Sequence, residues 1–114
     1  MEKDYKLYLY HILECIELIE KYTRGMSFQN FKKDRKTVDA VIRNFEIIGE
    51  ASNKISKEFR HSHPEIPWRS LIGLRNILIH DYMGVDINAV WGNIKKELSP
   101  LKRQIKLTVE STNK

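Results

Sequence analysis

Apolar side chains recur every three or four residues along most of the chain, and no segment alternates apolar and polar residues as a half-buried strand would. The clearest stretch follows Asp34, a residue type that commonly caps a helix N-terminus. One continuous face of this stretch carries Val38, Val41, Ile42, Phe45, Ile48, Ser52, Ile55 and Phe59. The pattern predicts one long helix that ends before His61, because the residue preceding Pro64 is pushed away from helical geometry.

The same spacing predicts a helix on either side of this long one. The first runs from Tyr5 to Tyr22 and ends at Gly25, after which a connecting loop carries Phe28 and Phe31 back onto the core. The helix on the other side spans residues 68–80. It directly follows a proline, a residue that is tolerated where a helix begins. That helix is apolar nearly all round, so it must be buried on several sides.

The remaining chain predicts one or two further helices. Asp86 is the N-cap of an amphipathic segment that includes Val90 and Ile94. Ser99 and Pro100 either cap and begin another helix or kink one continuous helix, and the sequence leaves both open. The fold class predicted is therefore all-α, an up-down bundle of four to five helices, forming a single domain over residues 1–114.

Composition narrows the class of protein further. The 114 residues are 41% apolar and 31% charged, as in ordinary soluble domains. A single cysteine, Cys15, excludes an intrachain disulfide and a cysteine-rich metal site. No signal peptide or membrane span is evident, so a cytoplasmic protein is expected. The net charge of +5 is compatible with a polyanionic partner, although the basic clusters near residues 32–36 and 95–106 are equally typical of solvated helix faces.

Polar residues in the apolar helix at 68–80 are the candidates for chemistry. At 100° per residue, Gly73, Asn76 and His80 share one stripe, and Arg75 borders it. Burying an arginine, an amide and an imidazole is costly unless they are paired or used. A glycine in mid-helix costs about 1 kcal/mol and indicates that something approaches closely. These residues therefore form a candidate functional site.

A structural interpretation of the same residues stays open at this point. Arg75 could pair with Glu46 or Glu50 of the preceding helix, which are also the expected partners of Arg43. His80 could serve as a helix C-terminal residue, where an imidazolium is favoured by the helix dipole. Residue types alone do not separate this interpretation from a functional one.

The motif Arg75-x4-His80-x-Tyr82 resembles the Arg-x4-His-x-Tyr motif of HepT-like toxins in the HEPN superfamily. The resemblance extends to the flanking segments, which are Arg-Asn-Phe-Glu-Ile-Ile-Gly-Glu-Ala at residues 43–51, Pro-Glu-Ile-Pro-Trp at residues 64–68 and Gly-Leu-Arg-Asn at residues 73–76. A bare Arg-x4-His spacing occurs by chance, but these flanks in this order make the motif specific.

The resemblance implies a helical homodimer in which Arg75 and His80 of both protomers face one cleft and cleave RNA without a metal or other cofactor. His80 would act as general base or acid, Arg75 would hold the phosphate, and Asn76 would support them. The 2′-hydroxyl would attack the adjacent phosphorus. On an ideal helix Arg75 and His80 lie about 140° apart, so a shared site needs either an unwound helix end or a second protomer.

The resemblance also assigns a role to Tyr82. In HepT-like systems, classed as type VII toxin–antitoxin systems, a minimal nucleotidyltransferase antitoxin attaches AMP to the tyrosine of this motif. Bulky anionic groups beside a phosphate-binding cleft would block RNA. The alternative is an aromatic plug at the helix end, which is favoured if Tyr82 is buried.

Three other interpretations are weaker. A non-catalytic HEPN module would keep the motif to bind RNA, nucleotide or a nucleotidyltransferase partner. A helix-turn-helix DNA binder is disfavoured because the helix at 68–80 is too aliphatic for a major groove. His61 and His63 beside Glu65 lack a fitting third metal ligand, and Cys15 lies on an apolar stripe that predicts a core residue rather than a nucleophile.

Overall fold

The computed structural model describes residues 3–80 and 86–112, with side chains described for residues 5–75 and 86–111. Regular structure in these residues is helical, with no strand among them, so the all-α prediction is confirmed. The elements are α1 (Lys3–Thr23), α2 (Phe28–Lys33), α3 (Arg35–Lys54), α4 (Lys57–Ser62), α5 (Trp68–His80), α6 (Ile87–Gly92), a π-helical turn (Asn93–Glu97) and α7 (Leu98–Thr112).

Helix α3 organises the bundle because it packs against both α1 and α5, while α7 packs against α1. The buried apolar side chains of these helices form one hydrophobic cluster. Its fully buried members include Leu9, Ile12, Ile16, Ile19, Phe31, Val41, Ile48 and Ile105. No helix in the described part of the chain is long and apolar enough to cross a membrane.

Three predicted helix ends are confirmed by their capping geometry. The carboxylate of Asp34 accepts a hydrogen bond from the backbone N–H of Thr37 at 3.1 Å, and Asp86 accepts one from Ala89 at 3.2 Å. Gly25 follows α1 with a φ of +76°, a left-handed conformation that glycine adopts without steric cost. Local side-chain chemistry therefore begins and ends these helices as the sequence indicates.

The segment between α1 and α3 is a short helix rather than the predicted loop. The hydroxyl of Ser27 accepts a hydrogen bond from the backbone N–H of Asn30 at 3.1 Å and so begins α2. Phe31 is fully buried and lies 5.0 Å from the ring of Trp91, so the predicted return of this segment onto the core is confirmed. The loop prediction was wrong because a serine cap can begin even a short helix, and α2 has six residues.

The long second helix is also interrupted, contrary to the prediction. Ile55 is extended, with a ψ of 136°, and Ser56 then caps α4 by accepting from the N–H of Phe59. The serine hydroxyl gives the backbone an alternative to continuing the helix. The new direction places Phe59 between the rings of Tyr5 and His63, at 4.2 and 4.1 Å. Helix α4 then extends to residue 62, two residues beyond the predicted end.

The chain from α6 to α7 is one continuous helical segment, so the helix does not restart at a Ser99 cap. Its irregularity is the π-helical turn, in which the N–H of Leu98 donates to the carbonyl oxygen of Asn93 five residues earlier. In a regular α-helix the ring of Pro100 would clash with the carbonyl group of Lys96. The wider turn includes Lys96, and this offers a physical reason for a π-bulge at this position.

Candidate active site

The structure fixes the four predicted site residues to different extents. Arg75 has a described side chain on α5. Asn76 and His80 belong to α5 by their backbone, but their side chains lie outside the described residues, and Tyr82 lies outside them altogether. Arg75 is therefore the one of the four whose side-chain surroundings the structure describes.

Helix α5 is anchored on one side by apolar burial. Trp68 and Leu71 are 8% and 4% exposed, and the indole Nε1 of Trp68 donates to the backbone oxygen of His63 at 2.9 Å. Ile72 and Leu74 are only half-buried. The predicted burial of this helix on several sides is thus incomplete within one chain.

Helices α3 and α5 approach each other closely at Gly49, opposite Arg75. A Cβ atom added at Gly49 would lie 2.7 Å from the backbone nitrogen of Arg75 and 3.1 Å from the backbone oxygen of Leu71. Real Cβ atoms do not come that close, so only glycine lets the two helices pack at this distance. Gly49 therefore sets where the backbone of Arg75 lies.

Gly73, the mid-helix glycine that the sequence singled out, does not make this helix contact. A Cβ added at Gly73 would meet nothing within 4 Å among the described residues. Gly49 carries the same signal, a glycine within a predicted helix, and it could have been found by treating both glycines alike.

The guanidinium of Arg75 is held by a carboxylate from α3. Its Nη1 lies 3.6 Å from Oε1 of Glu50, and the two side chains are 31% and 51% exposed. The buried Nε of Arg75 has no acceptor among the described residues. An ion pair that is partly exposed and has this separation is weak. Glu50 therefore orients the guanidinium of Arg75 but does not occupy all of its N–H donors.

The second carboxylate of α3 has a different partner. Oε1 of Glu46 accepts a hydrogen bond from Nη1 of Arg43 at 2.9 Å, one turn away on the same helix. The prediction that Glu46 and Glu50 serve the two arginines is confirmed. The structure assigns Glu50 to Arg75 and Glu46 to Arg43.

The backbone of α5 is helical up to and including His80. Arg75 and His80 are therefore separated by about 7.5 Å along the axis and about 140° around it. The helix is not unwound before His80, so the structure does not show the first of the two ways to bring these residues together.

Other sequence candidates have structural roles. Cys15 is 2% exposed, and burial, together with the nearby charge of Glu14, raises the pKa of its thiol to about 11. The His63 ring stacks on Phe59, and its Nδ1 lies 3.0 Å from the Phe59 backbone oxygen. Cys15 is a core residue, as predicted, and within the described ranges no three metal-ligating side chains come together.

Comparison with known proteins decides the family. The sequence model described as "Ribonuclease HepT-like" matches residues 12–108, which include Arg75, Asn76, His80 and Tyr82. The chain belongs to the HepT-like ribonuclease family. The resemblance of its motif and flanks to that family is confirmed.

Related proteins agree with this assignment. The chain is 49% identical over 102 residues, 90% of its length and 93% of the relative's, to a Thermococcus cleftensis protein named "Probable ribonuclease HepT". It is 42% identical over 99 residues, 87% and 88% of the two chains, to a "Putative RNase" of Caldanaerobacter subterraneus.

A third relative is longer than this chain. A "Gamma-glutamylcyclotransferase and putative RNase" of Methanocaldococcus jannaschii is 45% identical over 114 residues, which is 100% of this chain and 51% of the relative. The chain thus spans about half of that protein. No solved structure matches the chain significantly.

Proposed function

We propose that this HepT-like chain is a metal-independent endoribonuclease toxin, in which the ribose 2′-hydroxyl attacks the adjacent phosphorus and leaves a 2′,3′-cyclic phosphate. The observation that carries the proposal is the placement of Arg75. Its backbone is fixed by Gly49, its guanidinium is oriented by Glu50, and its side chain remains 31% exposed. A cation held in this way, in a family named for ribonucleases, is suited to bind a phosphate.

The chemical roles follow from the side chains of the motif. Arg75 stays protonated and stabilises the charge that develops on the phosphate oxygens. His80 acts as general base or acid and transfers the proton of the 2′-hydroxyl or of the leaving oxygen. Asn76, on the same stripe of α5 as His80, orients the imidazole or contacts the phosphate.

The active form in this proposal is a homodimer in the cytoplasm. Arg75 and His80 of one chain lie on different sides of α5, so a complete site combines Arg75 of one protomer with His80 of the other. Half-buried Ile72 and Leu74 leave apolar surface on α5 for such a contact. Each chain contributes one domain.

Regulation in this proposal acts at Tyr82. A cognate minimal nucleotidyltransferase antitoxin transfers AMP to its hydroxyl, as the resemblance to type VII systems implies. Tyr82 follows the last residue of α5 by two positions, close in sequence to His80. A bulky anionic group there repels the RNA phosphates and blocks access.

Cleavage is tested with labelled RNA in excess EDTA. We expect wild-type cleavage, and a loss of about 100-fold or more in rate for Arg75→Ala and for His80→Ala. Arg43→Ala is the matched control because it also removes an arginine paired with an α3 carboxylate, and it should cleave normally. Undiminished cleavage by His80→Ala would overturn the mechanism. A wild-type protein that cleaves no RNA would favour the non-catalytic HEPN module.

The modification is tested by mass spectrometry after incubation with a nucleotidyltransferase and ATP. We expect a single AMP adduct on wild type and on Tyr10→Phe, which alters an exposed tyrosine elsewhere. Tyr82→Phe should carry none. An adduct retained by Tyr82→Phe would place the modification on another residue.

A further inference from the structure

A groove of about 690 Å³ lies beside α5, at the end of that helix opposite His80. It is formed by α4, the loop that follows it and the first turn of α5. Its floor is apolar, since Ile66 is 2% exposed, Trp68 is 8% exposed and Ile72 is half-buried. The proposed catalytic mechanism uses none of these residues.

The rim of this groove is positively charged. It carries Lys57, Arg60 and Arg69 together with His61, and no carboxylate lines it. Glu65 is close in sequence, but its Oε2 accepts from the Thr108 hydroxyl at 3.3 Å, outside the groove.

Among the described residues, these cations have no acidic partner. The ion pairs of the described residues involve Arg35, Arg43, Arg75 and Lys102, and none of the three rim cations. Arg60 has in addition a buried Nε without an acceptor in the described part of the chain. Three unpaired cations around an apolar floor suit a ligand that carries several negative charges and flat apolar groups.

The groove is continuous with the stripe of α5 that ends at His80. Arg69, Gly73, Asn76 and His80 follow i, i+4, i+7 and i+11 spacing, which keeps them within about 60° of one another on the helix. Arg69 and His80 are about 17 Å apart along the axis. At about 3.4 Å per nucleotide, a stacked RNA strand covers that distance with about five nucleotides.

A Cβ atom added at Gly73, midway along this stripe, would meet nothing within 4 Å among the described residues. The close approach expected at this glycine is therefore not made by any described residue. A strand lying along the stripe could contact the helix backbone at this point.

We propose that this groove binds single-stranded RNA about five nucleotides from the cleaved phosphate. Lys57, Arg60 and Arg69 contact successive phosphates, and unpaired bases or riboses pack on the floor formed by Ile66 and Trp68. Single strands are specified because only unpaired bases can reach an apolar floor. The identity of the strand as substrate rests on the proposed ribonuclease function, whereas the binding itself does not require cleavage.

Binding is tested by fluorescence anisotropy with a labelled 2′-O-methyl RNA 12-mer, which lacks the attacking hydroxyl. The test variant is Lys57→Gln/Arg69→Gln, two exposed residues of the rim. The matched control is Arg103→Gln/Lys106→Gln, which removes the same charges from the exposed face of α7. We expect the Kd of the test variant to rise about tenfold and its salt dependence, the slope of log K against log salt, to fall in magnitude by about 1.4.

The outcomes separate the groove from the proposed function. An equal loss in both variants would mean general electrostatic attraction, and an unchanged test variant would mean that RNA does not use the groove. A change in sedimentation of the test variant at unchanged RNA affinity would instead make the groove a protein interface. Each of these results overturns the proposal. If wild type binds through the groove but cleaves no RNA, only the proposed ribonuclease function fails.

Substrate length gives a second measurement for an active enzyme. We expect Lys57→Gln/Arg69→Gln to raise the KM of a 12-mer about tenfold while kcat stays unchanged, and to leave cleavage of a dinucleotide unaffected. Gly73→Gln, which adds an uncharged side chain to the stripe, should raise the same KM. A lower kcat on the dinucleotide would show that the rim acts on the cleavage step rather than on distant binding.

Discussion

Gly49 and Arg75 are in such close contact that the missing side chain of the glycine determines where the arginine lies. A Cβ at Gly49 would come within 2.7 Å of the Arg75 backbone nitrogen and 3.1 Å of its Cβ. The nitrogen is part of the α5 main chain, and the Cβ is bonded directly to that main chain. Neither atom can therefore move without shifting α5. The position of the candidate phosphate-binding arginine therefore depends on a residue of α3.

Gly49→Ala should displace α5 and lower both stability and activity. Forcing a methyl group into this contact is expected to cost about 1–3 kcal/mol in the free energy of unfolding. Gly73→Ala is the matched control, because its new Cβ has free space and removing a helical glycine should stabilise by up to about 1 kcal/mol. Chemical denaturation measures the free energy of unfolding of both variants. A Gly49→Ala protein as stable as wild type would show that the helices can separate at little cost.

Glu50→Gln should reduce RNA cleavage more than it reduces stability. The Arg75–Glu50 pair is partly exposed, so its loss should change the free energy of unfolding by less than about 1 kcal/mol. The loss of orientation at Arg75 should lower kcat/KM by about threefold to tenfold. Kinetics on a labelled RNA measure this. Glu46→Gln, which disrupts only the Arg43 pair, should behave as wild type, and equal losses in both variants would argue against a specific role for Glu50.

The buried thiol of Cys15 predicts a loss of stability in alkali. Its pKa is raised from 9.0 to about 11 in the folded state, so the unfolded chain releases this proton first. Stability should therefore decrease as the pH rises from 9 to 11, by at most about 3 kcal/mol. Urea denaturation across this range measures the decrease. Cys15→Ala should show a smaller decrease, and a variant with the same pH dependence as wild type would exclude the thiol as its cause.

The contact between Lys102 and Glu20 should couple α7 to α1. Nζ of Lys102 donates to Oε1 of Glu20 at 2.8 Å, with side chains 27% and 28% exposed. This hydrogen bond raises the pKa of Lys102, so its contribution is complete below the ordinary lysine pKa and is lost as the pH rises through the raised value. A double-mutant cycle with Lys102→Met and Glu20→Gln should give a coupling of about 1 kcal/mol that decreases with salt. A coupling near zero would make the contact incidental.

The sequence by itself determined the helices and several of their ends. Asp34, Asp86 and Gly25 act on backbone groups within a few residues, so their effect can be inferred without knowledge of the fold. The same is true of the placement of Arg75, Asn76 and His80 on one helix, because a helical repeat follows from local spacing. The family could also be inferred, since its motif and flanks are linear patterns. The hydroxyl caps at Ser27 and Ser56 were equally local signals, and they were missed.

Only the tertiary structure decided which residues meet across helices. Gly49 and Gly73 are both mid-helix glycines, yet only Gly49 has a neighbouring backbone against it. Glu46 and Glu50 were equal candidates for Arg75 until the packing of α3 on α5 selected Glu50. The physical reason is that local spacing fixes a helix but not its rotation or its register against a neighbour. Those depend on the burial of the whole apolar face, which joins residues far apart in the chain.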